Sequence, residues 1–207
     1  LTYSSIAREY LLREGLQSDL VIKVGSPMLE VLSHFDEKIK LSDVCERLGL
    51  EKYKYFLIST HREENIDNNI NFSRIIYMIN QLSIDYNLPV IVSTHPRTRK
   101  KINESKVKFN EKVILINPLG FTDYINLQIN SKVVISDSGT ITEEASILNL
   151  KAINLREAHE RPEGMEEASV ILSGLNYNRI IQSLSILDNQ MDSHERVCSL
   201  VKDYNSN

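Results

Sequence analysis

From residue 53 onward, short apolar runs alternate with longer segments of helical periodicity, and this rhythm restricts the fold more than any other feature. The runs are YKYFLIST (53–60), PVIVST (89–94), KVILIN (112–117), KVVISD (132–137), KAINL (151–155) and ASVILS (168–173). They are continuous rather than alternating, as expected of strands buried on both faces of a parallel sheet. Between them, NFSRIIYMINQLSIDY (71–86) spaces Ile75, Ile76, Ile79 and Leu82 as one helical face. RTRKKINES (97–105), TDYINLQIN (122–130), GTITEEASILN (139–149) and NRIIQSLSIL (178–187) read as further helices. The pattern predicts an α/β, Rossmann-like parallel sheet with helices on both faces.

Upstream, residues 4–14 read as a helix stopped at Gly15, LVIKVGSPM (20–28) as a short strand, and residues 29–52 as connecting helices. Residues 1–30 and 188–207 match the βα rhythm least, so 31–187 is taken as the domain, 1–30 as the tail of a preceding domain or a linker, and 188–207 as a trailing segment. The chain opens at Leu1, directly on a helix, which suggests a segment of a longer protein.

Several function classes lose support. A net charge of −4 argues against non-specific nucleic-acid binding. No apolar run approaches the roughly 18–20 residues of a membrane span, and no signal peptide is visible at the front. Cys45 and Cys198 lie far apart without CxxC spacing, so reduced thiols in a cytoplasmic protein are expected. No His, Cys and carboxylate spacing suggests a metal site. Neither GxGxxG nor a Walker lysine motif is present.

In parallel α/β sheets, ligands bind beyond the carboxyl ends of the strands. There the sequence places STHREEN, STHPRTR, NPLGF, SDSGT and LREAHERPE. In SDSGTITEEASILN (136–149), Asp137 or Ser138 can cap the following helix and Gly139 lets the backbone turn. The free N–H groups of a first helical turn attract phosphate, and Thr140 adds a hydroxyl. Glu144 lies one to two turns in, about 9 Å along the axis at roughly 1.5 Å per residue, within reach of a ribose. The same residues also spell a capping box, Thr140-x-x-Glu143, so a simply capped helix is the competing reading. His61 can act as an acid, a base or a diphosphate donor, and Arg62 can clamp phosphate. His95, Arg97 and Arg99 form a second basic loop, and Arg156, His159 and Arg161 a third. Three basic loops on one sheet edge suggest a nucleotide diphosphate. His34 and His194 fall outside these loops and are assigned no role.

HREEN (61–65), THP (94–96), DSGTITEEAS (137–146) and REAHERPEG (156–164), in this order and spacing, resemble the non-hydrolysing UDP-N-acetylglucosamine 2-epimerases. The resemblance covers residues 53–175 well, and YSSIAREYLLREG and VGSPMLEVL also look like the stretch preceding that family's second domain. It implies the second domain of a GT-B-type two-domain fold, with Ser138, Gly139 and Thr140 at the diphosphate, Glu144 at the ribose, Tyr124 near the uracil and Arg161 as a further UDP-binding residue. His61 matches the active-site histidine; Arg62 and His95 match positions that bind a second UDP-sugar as effector. The implied reaction interconverts UDP-GlcNAc and UDP-ManNAc by inverting C2 through elimination and re-addition of UDP, without a cofactor. It would supply cell-surface polysaccharide synthesis in a cytoplasmic homodimer.

Two departures qualify this. Thr140 stands where the family usually has a second glycine, which, with PLGF and HPRTR, looks more like the branch acting on UDP-6-deoxy-N-acetylhexosamines for UDP-N-acetylfucosamine. The acidic residues credited with proton transfer belong to a first domain largely missing here, so the fragment is expected to be inactive alone. The alternatives are a GT-B glycosyltransferase donor domain, a hydrolysing epimerase, a non-catalytic nucleotide-sugar-binding module and a ligand-free α/β scaffold.

Overall fold

The computed structural model describes residues 1–158, 161–166, 170–189 and 200–205. In chain order it contains α1 (Ser5–Arg13), α2 (Met28–Lys40), α3 (Val44–Arg47), β1 (Phe56–Ser59), α4 (Glu63–Ile66), α5 (Asn69–Asp85), β2 (Val90–Ser93), α6 (Pro96–Ser105), β3 (Val113–Ile116), α7 (Phe121–Asn130), β4 (Val133–Ser136), α8 (Ile141–Leu148), β5 (Ala152–Asn154), α9 (Pro162–Glu166), β6 (Ile171–Leu172) and α10 (Tyr177–Asn189). A 3₁₀ turn follows at Lys202–Tyr204. His194 and Cys198 lie outside the described residues.

The six strands form one parallel sheet in the order β3-β2-β1-β4-β5-β6. This is the Rossmann-like α/β class expected from the sequence. Alternate residues supply the two faces. Phe56 and Ile58, with Val90, Val92, Val133, Ile135 and Ile153, pack under Ile75, Met78, Ile79 and Leu82 of α5 and Ile180, Leu184 and Leu187 of α10. On the other face, Leu57 and Ile91 meet Val44 of α3 and Leu127 of α7, while Val134 and Ala152 meet Ile141 and Ala145 of α8. Covering both faces explains why β1, β2 and β4 read as unbroken apolar runs. The strand at the β3 edge is less buried, and Ile114 there is partly exposed.

The stretch 20–28 does not form a strand of this sheet. It makes a single bridge, Thr2 to Lys23, in which Thr2 N donates to Ile22 O and Val24 N to Thr2 O. Val21 is buried whereas Ile22 and Val24 are exposed, so no second face is covered. Asp203 ties this region to the other end of the chain, accepting from Ser5 N at 2.8 Å and Lys23 Nζ at 2.6 Å. Val201 N donates to Ser146 Oγ on α8, and Tyr204 is fully buried. Among the described residues no helix is long and apolar enough to cross a membrane.

Candidate functional site

The order of the strands reverses between β1 and β4, so the loops leaving these neighbours diverge and open a crevice at the carboxyl edge. Register aligns Ser59 with Ser93 on one side and Ser136 on the other. Three central strands thus end in a row of small hydroxyls, and their brevity leaves room above the sheet. The resulting cleft, about 230 Å³, is lined by Ser59, His61, Ser93, Pro118, Leu119, Tyr124, Ser136, Ser138, Thr140 and Glu144.

Asp137, wholly buried just after β4, joins the two loops. Its carboxylate accepts from His61 N at 3.2 Å, Arg62 N at 3.2 Å and Asn65 Nδ2 at 2.9 Å. The His61 Nδ1 atom lies 3.5 Å from Asp137 Oδ1, and the ring remains about half exposed to the cleft. The sequence offers Asp137 as a helix cap; the structure instead uses it to hold the HREEN loop, whose EENI segment is the short helix α4.

The turn before α8 is organised by Ser138. Its N–H donates to Ser136 Oγ at 3.1 Å, its Oγ accepts from Thr140 N at 3.3 Å, and the two hydroxyls, Ser138 Oγ and Thr140 Oγ1, lie 2.9 Å apart. The capping box is not formed. Thr140 occupies the N-cap position with α-helical dihedrals and no side-chain cap bond. Its expected partner Glu143 points away from the cleft and meets Arg161 Nη1 at 3.1 Å. The first turn of α8 is therefore left with the hydroxyls of Ser138 and Thr140 in the cleft wall, a setting suited to an anion.

The two adjacent glutamates divide between two environments. Glu143 is buried behind the helix, which raises its pKa, while the Arg161 charge pulls it back down. Glu144 lines the cleft within the first turn, closer to the helix start than the sequence estimate. Burial raises its pKa, and hydrogen bonds from Gln128 and Thr140 oppose that rise. Gln128 Nε2 donates to Glu144 Oε2 at 2.6 Å. Tyr124 stands nearby on α7, its phenol pushed up to about 12 by burial and by the Glu144 charge, against hydrogen bonds from Ser59 and Gln128.

His61, Tyr124, Ser138, Thr140 and Glu144 are thus brought together, with Gly139 inside the turn. Arg161 is not among the lining residues; it pairs with Glu143 and stacks over the Tyr3 ring at 5.0 Å. His95 caps α6, its Nδ1 accepting from Arg97 N at 3.3 Å. Arg62 pairs with Glu64 at 3.1 Å, and Arg97 pairs with Glu63 and Asp67. Arg99 reaches Leu115 O and Asn117 Oδ1. His159 lies outside the described residues. His34 stacks edge-on against Phe35, away from the cleft. Sequence reasoning missed Asn65 and Gln128; the latter's signal was its place one helical turn after Tyr124.

Residues 1–207 match the family model of UDP-N-acetylglucosamine 2-epimerase. A UDP-N-acetylglucosamine 2-epimerase of Methanococcus maripaludis is 34% identical over 182 residues, 84% of this chain and 50% of that protein. The solved UDP-N-acetylglucosamine 2-epimerase from Rickettsia bellii is similar at a TM-score of 0.88 and 42% identity, over 99% of this chain and 54% of that one. The Methanocaldococcus jannaschii UDP-GlcNAc 2-epimerase, solved in complex with UDP-GlcNAc and UDP, gives a TM-score of 0.84 at 30% identity, over 97% of this chain and 57% of that one. These neighbours have the GT-B-type architecture, in which the six-stranded unit is one Rossmann-like domain. The chain spans about half the length of the curated relatives it matches.

Proposed function

The chain belongs to the UDP-N-acetylglucosamine 2-epimerase family, and from that premise we propose that it carries the UDP site of an enzyme inverting C2 of a UDP-N-acetylhexosamine. The observation that carries this reading is the convergence of His61, Tyr124, Ser138, Thr140 and Glu144 on one cleft at the strand switch point. Solved relatives bound to UDP-GlcNAc, from Methanocaldococcus jannaschii and Neisseria meningitidis, support the ligand class.

In this reading the diphosphate lies against the N-terminus of α8. Backbone N–H groups and the hydroxyls of Ser138 and Thr140 receive the charge that develops as the C1–O bond breaks and UDP leaves. His61, oriented by Asp137, is placed to donate to the departing diphosphate. Glu144 accepts from the ribose hydroxyls, and Tyr124 packs near the uracil. Arg161 supports the site from behind the first turn of α8, where its charge balances the buried Glu143 carboxylate. Arg62 and His95 are assigned to an effector site for a second UDP-sugar. Removal and return of the C2 proton fall to residues outside this chain, so residues 31–187 form the UDP-binding domain and the chain alone is inactive. The intact enzyme is proposed to be a cytoplasmic homodimer.

Proton NMR of the purified chain with UDP-GlcNAc tests both parts. Saturation transfer to the uridine protons, with no UDP-ManNAc formed, is expected. Loss of saturation transfer in a folded chain refutes the UDP site, and turnover refutes the requirement for the missing half.

A further inference from the structure

We propose that Gln128 is a positioning residue that fixes the Glu144 carboxylate for a ribose diol and so makes the cleft discriminate ribonucleotides from 2′-deoxyribonucleotides. This rests on the reading of the cleft as a UDP site.

Gln128 belongs to α7 and Glu144 to α8, so their 2.6 Å hydrogen bond joins the two helices that flank the site. Both side chains are buried, Gln128 to 2% and Glu144 to 8% relative exposure. An ionised carboxylate only accepts, so the amide must turn Nε2 toward it. That orientation leaves Gln128 Oε1 buried without a hydrogen-bond partner among the described residues. A buried orphan acceptor costs free energy, which an apolar side chain of the same length would avoid. Packing alone therefore does not account for an amide here.

Its bond to the buried Glu144 carboxylate accounts for it. Tyr124, which lines the cleft, stands one turn earlier on the same face of α7. Gln128 thus fastens Glu144, a residue that lines the cleft, without lining it itself. Burial favours the protonated form of Glu144, and the Gln128 N–H is the first of the bonds that oppose this. With Oε2 held by Gln128, the carboxylate plane is fixed and its remaining lone pairs are available. A vicinal diol can donate two O–H bonds to such a carboxylate; a 2′-deoxyribose can donate one.

The test is calorimetric titration of the chain with UDP and with 2′-deoxy-UDP, using wild type, Gln128→Met, Gln128→Asn, Glu144→Gln and the Gln128→Met/Glu144→Gln pair. Wild type should prefer UDP by about tenfold, roughly one charge-assisted hydrogen bond. Gln128→Met and Glu144→Gln should each bring the ratio to within about twofold, and the pair no lower than either alone. Gln128→Asn keeps an amide too short to reach Glu144, and should behave as Gln128→Met. The affinity difference between UDP and UMP, set by the diphosphate, should be unchanged in Gln128→Met. Either folded Gln128 variant keeping the wild-type preference overturns the proposal. Wild type binding both nucleotides equally also overturns it and leaves the UDP site standing; no binding of either overturns the UDP reading itself.

Discussion

Asp137, with no solvent exposure, holds its carboxylate 3.5 Å from Nδ1 of His61 and also accepts the His61 backbone N–H. One side chain on the β4 loop therefore sets both the path of the β1 loop and the orientation of its histidine. Only an acceptor-only group can serve the three N–H donors that converge there.

Asp137→Asn keeps the shape but turns an N–H toward other N–H groups. The expected loss is about 2–3 kcal/mol of folding stability, as for buried hydrogen bonds to a charge. Urea unfolding followed by circular dichroism measures it. A loss below about 0.5 kcal/mol, the range of ordinary surface substitutions, would show that the carboxylate does not organise the loop.

Glu144 sacrifices stability for the site. Its folded-state pKa lies above the ordinary 4.5 because of burial. A raised carboxyl pKa means that the folded state binds the proton more tightly, so this contribution is present at low pH and lost as pH rises through the folded value. Glu144→Gln removes the titration while still accepting from Gln128. The variant should gain stability over wild type from pH 4.5 upward, level off above the folded pKa, and bind UDP more weakly. Urea midpoints between pH 4.5 and 8 test this, and a difference that shrinks with rising pH contradicts it.

Gly164 on α9 is fitted to Thr142 on α8. A Cβ at position 164 would lie 2.0 Å from Thr142 Cγ2. Gly164→Ala should cost about 1–3 kcal/mol through overpacking. Thr142→Ser, which deletes that methyl, should recover most of the loss in the double variant. Additive costs in the cycle would show that the two residues do not meet.

Glu143 and Arg161 form a buried pair whose arginine is partly open to solvent. Arg161→Met leaves an unpaired carboxylate inside and should cost about 3 kcal/mol, the lower end for a broken buried pair. Adding Glu143→Gln should relieve much of it. Equal stability of the single and double variants by thermal melting would contradict this.

The sheet and its strand ends were legible because strands buried on both faces leave unbroken apolar runs, and β1, β2 and β4 all close on serine. The stretch 20–28 misled because its apolar residues imply a face that no neighbouring strand covers. The two roles of EE at 143–144 were not legible. Spacing offers Glu143 to Thr140 as a capping partner, whereas Arg161, 18 residues later in sequence, takes it in the fold. Asn65 and Gln128 carry no motif of their own; their meaning comes from the carboxylates that the topology sets beside them.

Calorimetric titration of the chain with UDP, repeated on Ser138→Ala and Glu144→Ala, tests the central claim most directly. A UDP site on the first turn of α8 predicts saturable binding that each substitution weakens by about tenfold, the equivalent of one hydrogen bond to a charged group. Binding untouched by both substitutions, or none by a folded wild-type chain, would contradict it.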